Sequence, residues 1–379
     1  MSPKKLGVIF DYPEEGWHSM DLCAQMLVQS LKIEYNEQIE TVPICSPFNC
    51  RLQRLPFLKS KHCAFNADRL INRFWDYPRY LKRQAKQFDL FHVSDHTYAQ
   101  LVHVLPPERT GVFCHDIDAF RSLVEPQQEP RPGWYKAMSR RILEGLQKAA
   151  VVFYSTEVVR NQIEHYKLVD PSKLLQVPYG ISQEFNYISK GSASLDEIVF
   201  QKIADKPFIL HVGSCIPRKR IDILLEVFAG LRESNPDLQL VKVSGEWTQD
   251  QQQQIERLNL GTAIVHLHNL ERTEIATLYR HASLVLITSE AEGFGLPLIE
   301  AIACGTIVVA SDIPVLQEVG GTAAVYCSIS DIPTWVNTAN NLLKNPDTAP
   351  SLNLRLAQAK KYSWSTHAQI IAQTYLQLT

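Results

Sequence analysis

Two glutamates, Glu292 and Glu300, bracket a short glycine-bearing stretch, Gly293-Phe294-Gly295-Leu296-Pro297. A carboxylate accepts two hydrogen bonds at once, which suits a vicinal diol on a sugar or a ribose. Two glycines let a ligand come close to the backbone. The first N–H groups of a helix lack helical partners, so a helix start after such a loop suits a diphosphate. Carboxylates around a backbone anion site point to a ligand with a hydroxyl-bearing unit on each side of a diphosphate. That ligand is a nucleotide-sugar. Spacing alone also allows a plainer reading: a tight Gly-x-Gly turn and a solvated helical glutamate.

The elements that must hold these residues follow from the apolar pattern. Residues 284–288 (LVLIT) are too short for a lone helix and rich in branched side chains, so they read as a buried parallel strand. Residues 289–295 form a polar loop. Pro297 sits where a first helical turn tolerates it. Residues 298–303 continue the helix, Gly305 is its stop, and 306–310 (TIVVA) is the next strand. Glu292 thus lies in a loop and Glu300 in a helix. A second cluster precedes them. Residues 207–212 read as a strand, 213–220 (GSCIPRKR) as its loop and 221–231 as a helix. Arg218, Lys219 and Arg220 stand at that helix start, where cations oppose the dipole. Either an anion offsets them or they form a basic surface turn.

The first half repeats the strand–loop–helix pattern. Residues 6–10 are a strand, 11–19 (DYPEEGWHS) a loop carrying Gly16, and 20–31 a helix. Ligands bind outside the carboxyl ends of such strands. Gly16 is either a point of close approach or a turn glycine. Strands at 88–93 and 111–114 end in Asp95-His96 and His115-Asp116. A histidine there is a catalyst or a hydrogen-bonded structural residue. A metal site from these groups would lack the usual ligand spacing. Strands at 150–155 and within 173–180 close the half, and Pro178 and Gly180 signal a turn.

Residues 292–305 read E-G-F-G-L-P-x-x-E-A-x-A-x-G. This resembles the signature of retaining glycosyltransferases of family 4, which have the GT-B fold. The resemblance implies an α/β chain of two Rossmann-like domains facing each other across a cleft. Residues 1–185 would form the acceptor domain and 186–360 the donor domain. Residues 361–379 would be a C-terminal helix crossing back to the first domain, with the chain changing domains near residues 180–193. By position, Glu292 would meet donor-sugar hydroxyls, Gly293, Phe294, Gly295 and Leu296 the sugar and diphosphate, and Glu300 the ribose. Loops at 245–247 and 268–270 would receive the base. His115 would act on the catalytic side, and Gly16, Asp95 and Asp116 on the acceptor side. Family members carry Gly-Arg and then Lys-Gly after the strand that opens the second half. Lys219 matches that lysine. Gly213-Ser214 lacks the arginine, Arg218 could replace it, and Arg220 stands where the glycine is usual.

The implied reaction is a metal-independent, retaining transfer of a hexose from a nucleoside diphosphate sugar such as a UDP-sugar to a hydroxyl acceptor. The acceptor would be a saccharide, a lipid-linked sugar or a small molecule. No cofactor is expected. A nucleotide-sugar epimerase and a catalytically silent nucleotide-sugar binding subunit remain as alternatives. A nicotinamide enzyme is disfavoured, because the first strand lacks Gly-x-Gly-x-x-Gly.

Composition fits this reading. The 379 residues suffice for two α/β domains. A net charge of −2 supplies no global attraction to nucleic acid. No apolar run reaches a membrane span. The start, MSPKKLGVIFDYP, has too short an apolar core for a secretory signal. Eight cysteines without a Cys-x-x-Cys pair fit a reduced cytoplasmic setting. Residues 51–86 stand apart. Arg51, Arg54, Lys59, Lys61, Arg69, Arg73, Arg79, Lys82, Arg83 and Lys86 face only Asp68 and Asp76, a balance of +8. Phe57, Phe65, Phe74, Trp75, Tyr77 and Tyr80 are interleaved. This stretch is an exposed helix with snorkelling cations, or a peripheral contact for an inner membrane surface, or a grip on an anionic acceptor. No nucleic-acid recognition motif accompanies it.

Overall fold

The computed structural model describes residues 2–54, 61–187, 203 and 206–378. Two compact units emerge, one from Met1–Gly180 with Trp364–Thr379, the other from Ile181–Ser363. Phe57, Lys59, the side chain of Lys61 and residues 188–193 of the expected domain boundary lie outside the described residues.

The first unit is built on a six-stranded parallel sheet in the order β2-β1-β3-β4-β5-β6. Its strands are β1 (Lys4–Ile9), β2 (Ile39–Ile44), β3 (Leu90–Val93), β4 (Thr110–Cys114), β5 (Val151–Tyr154) and β6 (Leu174–Gln176). The central strands β3, β4 and β5 are buried throughout, as a parallel sheet covered on both faces requires. Helices α1 (His18–Glu34), α2 (Lys61–Ile71), α3 (Tyr77–Gln84) and α4 (Gly133–Lys148) cover it, with a π-helical turn, Asn72–Asp76, joining α2 to α3.

The second unit carries β7 (Phe208–Val212), β8 (Gln239–Val243), β9 (Ile264–Leu267), β10 (Leu284–Ile287), β11 (Val308–Ser311) and β12 (Val325–Cys327). They form a second parallel sheet ordered β12-β11-β10-β7-β8-β9. Its helices include α5 (Ile221–Ser234), α6 (Arg272–His281) and α7 (Leu296–Ala303). Leu224, Phe228, Leu286 and Trp335 are among its fully buried core.

The last helix, α8 (Trp364–Gln377), belongs to the first unit. Tyr375 on α8 donates to the carbonyl of Phe91 at 2.9 Å and meets His92 Nδ1 at 3.0 Å. A side chain at Gly111 would collide with the Tyr375 hydroxyl, so a glycine in β4 makes room for this anchor.

In each sheet the order reverses beside the first strand, and loops leaving the two flanking strands open a crevice at their carboxyl ends. In the first unit these loops follow β1 and β3. In the second they follow β7 and β10.

Candidate active site

In the second unit the loops after β7 and β10 are stitched together. The amide of Glu290 donates to the Arg218 carbonyl and the Thr288 hydroxyl to the Lys219 carbonyl, both at 2.9 Å. This brings the two clusters read from sequence into one site. Lys219 Nζ donates to Glu292 Oε1, and Arg218 Nη1 reaches Glu292 Oε2 at 2.9 Å and the Ala291 carbonyl at 2.8 Å. Ser289 Oγ adds a bond to Glu292 Oε1 at 2.7 Å. Burial raises the pKa of Glu292, but Lys219, Arg218 and these hydrogen bonds outweigh it and hold the carboxyl down at about 2.

This pairing changes the argument from charge at the helix start. Lys219 and Arg218 are answered by Glu292, and Arg220 by Asp222 and Glu290. The anion that the dipole demanded is the protein's own. Arg220 adopts the left-handed conformation, with φ 47°. A glycine is at ease there and an arginine is strained, which accounts physically for the glycine usual at this position.

Around Gly213 sit further polar groups. His211 donates from Nδ1 to the Leu286 carbonyl at 2.9 Å, while its buried Nε2 has no partner among the described residues. Burial holds this imidazole down at about 3, so it is neutral. Lys242, buried beneath the loop, donates from Nζ to the carbonyls of Gly213 at 2.5 Å, Val243 at 3.2 Å and Ser244. Burial lowers it to about 8. Lys242 therefore ties the loop after β7 to the one after β8. It belongs to no motif, and the sequence reading missed it.

Helix α7 begins at Gly295, whose φ of 93° needs a glycine and whose position leaves no room for a side chain beside Leu316. The amides of Leu298 and Ile299 turn back to the Gly295 carbonyl at 3.0 and 3.4 Å, so the helix start offers fewer amides to a ligand than expected. Phe294 is buried edge-on against Tyr362, with centroids 5.4 Å apart, and serves the core.

Glu300 is buried on α7 and is not the solvated helical glutamate of the plainer reading. Burial raises it to about 7, opposed by Arg272, whose Nη2 lies 3.9 Å from Oε1. Arg272 lies over the Phe185 ring at 5.1 Å. Buried here without hydrogen-bond partners among the described residues are Arg272 Nε and Nη1 and Glu184 Oε2, while the Tyr279 hydroxyl faces the Glu300 carboxyl. Unsatisfied buried polar atoms are costly, and a bound hydroxylated ring would satisfy them. Arg272 and Glu184 escape sequence reading because each is a lone polar residue, one opening α6 and the other in the short turn Gln183–Phe185.

The first unit places the remaining candidates differently from one another. Gly16 has φ 72° and open space where a side chain would stand, so its glycine serves the turn and leaves room nearby. Asp95 caps the turn after β3, accepting from Thr97 N at 2.7 Å and Thr97 Oγ1 at 3.0 Å. Burial raises its pKa, but His96 and His115 bring it down to about 2. Asp116 accepts from the Asp118 amide at 2.9 Å and lies 3.5 Å from His96 Nε2. His115 is buried, stacks on Phe113 at 5.0 Å and has both nitrogens engaged. Its Nε2 meets the Ser94 carbonyl at 2.8 Å and Nδ1 meets the Tyr179 hydroxyl. It sits as a neutral, doubly bonded core residue, its protonation disfavoured chiefly by burial.

The basic stretch is partly consumed within the fold. Arg51 pairs with Asp76, and Arg69 and Arg73 with Glu15. Arg79, Lys82, Arg83 and Lys86 remain exposed with Trp75. Among the described residues no helix is long and apolar enough to cross a membrane.

Comparison with known proteins sets this geometry in context. Residues 196–361 match the family described as Glycosyl transferases group 1. The O-antigen chain mannosyltransferase RfbU of Salmonella typhimurium is 28% identical over 195 residues, 51% of this chain and 53% of RfbU. The chain thus spans about half the length of that relative. The O-antigen chain mannosyltransferase B of Escherichia coli is 27% identical over 317 residues, 82% of this chain and 79% of that protein. Anabaena HepE, solved with UDP-glucose, superimposes with a TM-score of 0.74 at 16% identity, covering 99% of this chain and 100% of HepE. The fold is GT-B.

Proposed function

We propose that this chain, whose residues 196–361 match the family described as Glycosyl transferases group 1, moves a hexose from a nucleoside diphosphate sugar to a hydroxyl acceptor. The observation that carries the reading is the buried Lys219–Glu292 pair, joined by the half-buried Arg218, beside the order reversal of the second sheet. It places cations for a diphosphate beside a carboxylate for sugar hydroxyls. The orphaned polar atoms around Glu300 suit the ribose and base. Mannose is favoured as the hexose by the names of RfbU and mannosyltransferase B. HepE with UDP-glucose supports a nucleotide-sugar as donor.

In this reading the bond from the anomeric carbon to the diphosphate oxygen breaks as the bond to the acceptor oxygen forms on the same face. The acceptor proton passes to the leaving phosphate, and configuration is retained. Lys219 and Arg218 stabilise charge on the leaving group, the largest contribution the protein supplies. The donor phosphate competes with Glu292 for these cations and frees the carboxylate for sugar hydroxyls. No metal is required, in keeping with the family 4 resemblance. The proposed setting is the cytoplasm, with Trp75 and the exposed cations of α3 as a peripheral membrane contact.

Incubation with GDP-mannose or UDP-glucose and a hydroxyl acceptor, followed by product analysis, tests the reading. Glycoside formation lost in Lys219→Ala and Glu292→Ala is expected. Epimerised donor, or bound and unreacted donor across the acceptor panel, would replace it.

A further inference from the structure

The second sheet parts at a histidine. Strand β7 stays paired with β8 as far as Val212, opposite Val243, but with β10 only as far as Leu210, opposite Val285. His211 stands at the split and is 2% exposed. Where the ladder to β10 ends, its Nδ1 donates to the Leu286 carbonyl at 2.9 Å. A proton on Nδ1 fixes the tautomer of the neutral ring, so Nε2 presents a lone pair. That lone pair is buried and unbonded among the described residues. A buried acceptor in this state lowers stability until a donor meets it.

Gly213 sets what the lone pair faces. The backbone of Gly213 is held from the β8 side. Its amide donates to the Val243 carbonyl at 3.1 Å, and its carbonyl accepts from Lys242 Nζ at 2.5 Å. A side-chain carbon at Gly213 would lie 3.6 Å from His211 Nε2 and 3.9 Å from Lys219 Nζ, both ordinary contact distances. Glycine leaves that space open, and it borders both nitrogens. Lys219 Nζ gives a proton to Glu292 Oε1 and has others to offer. The space thus has a lone pair on one side and ammonium protons on another. An ionised phosphate oxygen only accepts, and beside Nε2 it would set lone pair against lone pair. A hydroxyl both accepts from Lys219 and donates to His211.

We propose that His211 reads a hydroxyl of the transferred hexose, which donates to Nε2 while accepting from Lys219. The assignment rests on the transferase reading and adds to it a specificity residue that no motif marks. The partner of this ring is the sugar of the donor and not its diphosphate.

The test titrates GDP, GDP-mannose, UDP and UDP-glucose into the full chain, as wild type, His211→Asn and His211→Gln. An asparagine amide stands near the place of Nδ1 and keeps the Leu286 bond without reaching the Gly213 space. A glutamine amide reaches the place of Nε2 and restores an acceptor. For the donor that binds, His211→Asn should weaken the nucleotide-sugar about fivefold or more, the loss of one neutral hydrogen bond, and leave the matching nucleoside diphosphate within about twofold. His211→Gln should recover most of that loss. One monodeoxy form of the hexose should bind the wild type more weakly than the parent sugar does, with no further loss in His211→Asn. Nitrogen NMR of the wild type gives a readout that survives if His211→Asn does not fold. The Nε2 signal should move upfield, as an acceptor's does, when the nucleotide-sugar is added, and hold its place with the nucleoside diphosphate. Equal weakening of nucleotide and nucleotide-sugar, unchanged nucleotide-sugar affinity, or losses that add for every deoxy form overturns the assignment. So does an Nε2 signal that ignores the sugar or becomes protonated with the diphosphate alone. A wild type that binds neither nucleotides nor nucleotide-sugars would defeat the transferase reading itself and the role of His211 with it, a result distinct from a bound donor that ignores the substitution.

Discussion

Lys219 and Glu292, 73 residues apart in sequence, form one buried ion pair beside the order reversal of the second sheet. Arg218 completes it from the same turn. Removing one partner of a buried pair strands the other charge. Glu292→Ala leaves two cations facing each other and should lower the ligand-free stability by about 3 kcal/mol. Lys219→Ala should cost less, because Glu292 keeps Arg218 and Ser289. Urea unfolding of the two variants checks the asymmetry; equal losses would contradict the pairing.

The same pair fixes an acid limb. Glu292 is held at about 2 against an ordinary 4.5, so the folded state binds fewer protons than the unfolded one in that window. Its contribution is complete above pH 4.5 and fades as pH falls towards 2. Glu292→Gln should flatten the stability curve of the second unit over this range. An unchanged slope in the variant would count against it.

Glu300 behaves oppositely. Its pKa is raised to about 7, chiefly by burial, so the folded state binds more protons than the unfolded one between 4.5 and 7. Stability from this group therefore declines as pH rises through that range. Nucleotide affinity should move the other way, because ribose hydroxyls donate to the carboxylate and the carboxylate grows with pH. Calorimetric titration with UDP or GDP between pH 6 and 8 should show affinity rising with pH. Glu300→Gln should bind weakly and without that trend, and a persisting trend would place its origin elsewhere.

His115 carries a third expectation. Its two nitrogens hold the Ser94 carbonyl and the Tyr179 hydroxyl, and its ring stacks on Phe113. His115→Ala opens a cavity and removes both bonds, at about 2–4 kcal/mol. Loss of transfer in this variant should follow loss of folded protein. Full stability with abolished turnover would support a direct role for His115 in the chemistry.

The exposed face of α3 supplies a fourth. Arg79 stacks on Trp75 at 3.3 Å, and Lys82, Arg83 and Lys86 extend the charge. Co-sedimentation with phosphatidylglycerol vesicles should be measurable at low salt, weaken with added salt and drop when Lys82, Arg83 and Lys86 become glutamine. Equal pelleting with neutral vesicles would argue against this face.

Much of the architecture was legible because buried parallel strands are short branched runs, as at 284–288 and 111–114. The two strands that escaped, Ile39–Ile44 and Val325–Cys327, are both sheet edges. Edge strands need less apolar surface, and Pro43 is tolerated there because an edge leaves amides unpaired. The glutamates and Lys219 were legible through their spacing. That Lys219 and Glu292 bond to each other was not, because it depends on how loops after β7 and β10 meet. Arg272 was hidden for a related reason: it is a single polar residue whose place beside Glu300, with Nε and Nη1 buried and unbonded among the described residues, appears only in the fold.

The central claim is that the second unit holds a nucleoside diphosphate sugar through Lys219, Arg218, Glu292 and Glu300. Isothermal titration of GDP-mannose and UDP-glucose into the wild type and into Lys219→Met tests it most directly. Saturable binding of at least one donor to the wild type is expected, with about tenfold or greater weakening in the variant, the loss of one charge-assisted contact. Failure of both donors to bind, or equal affinity for the two proteins, would contradict it.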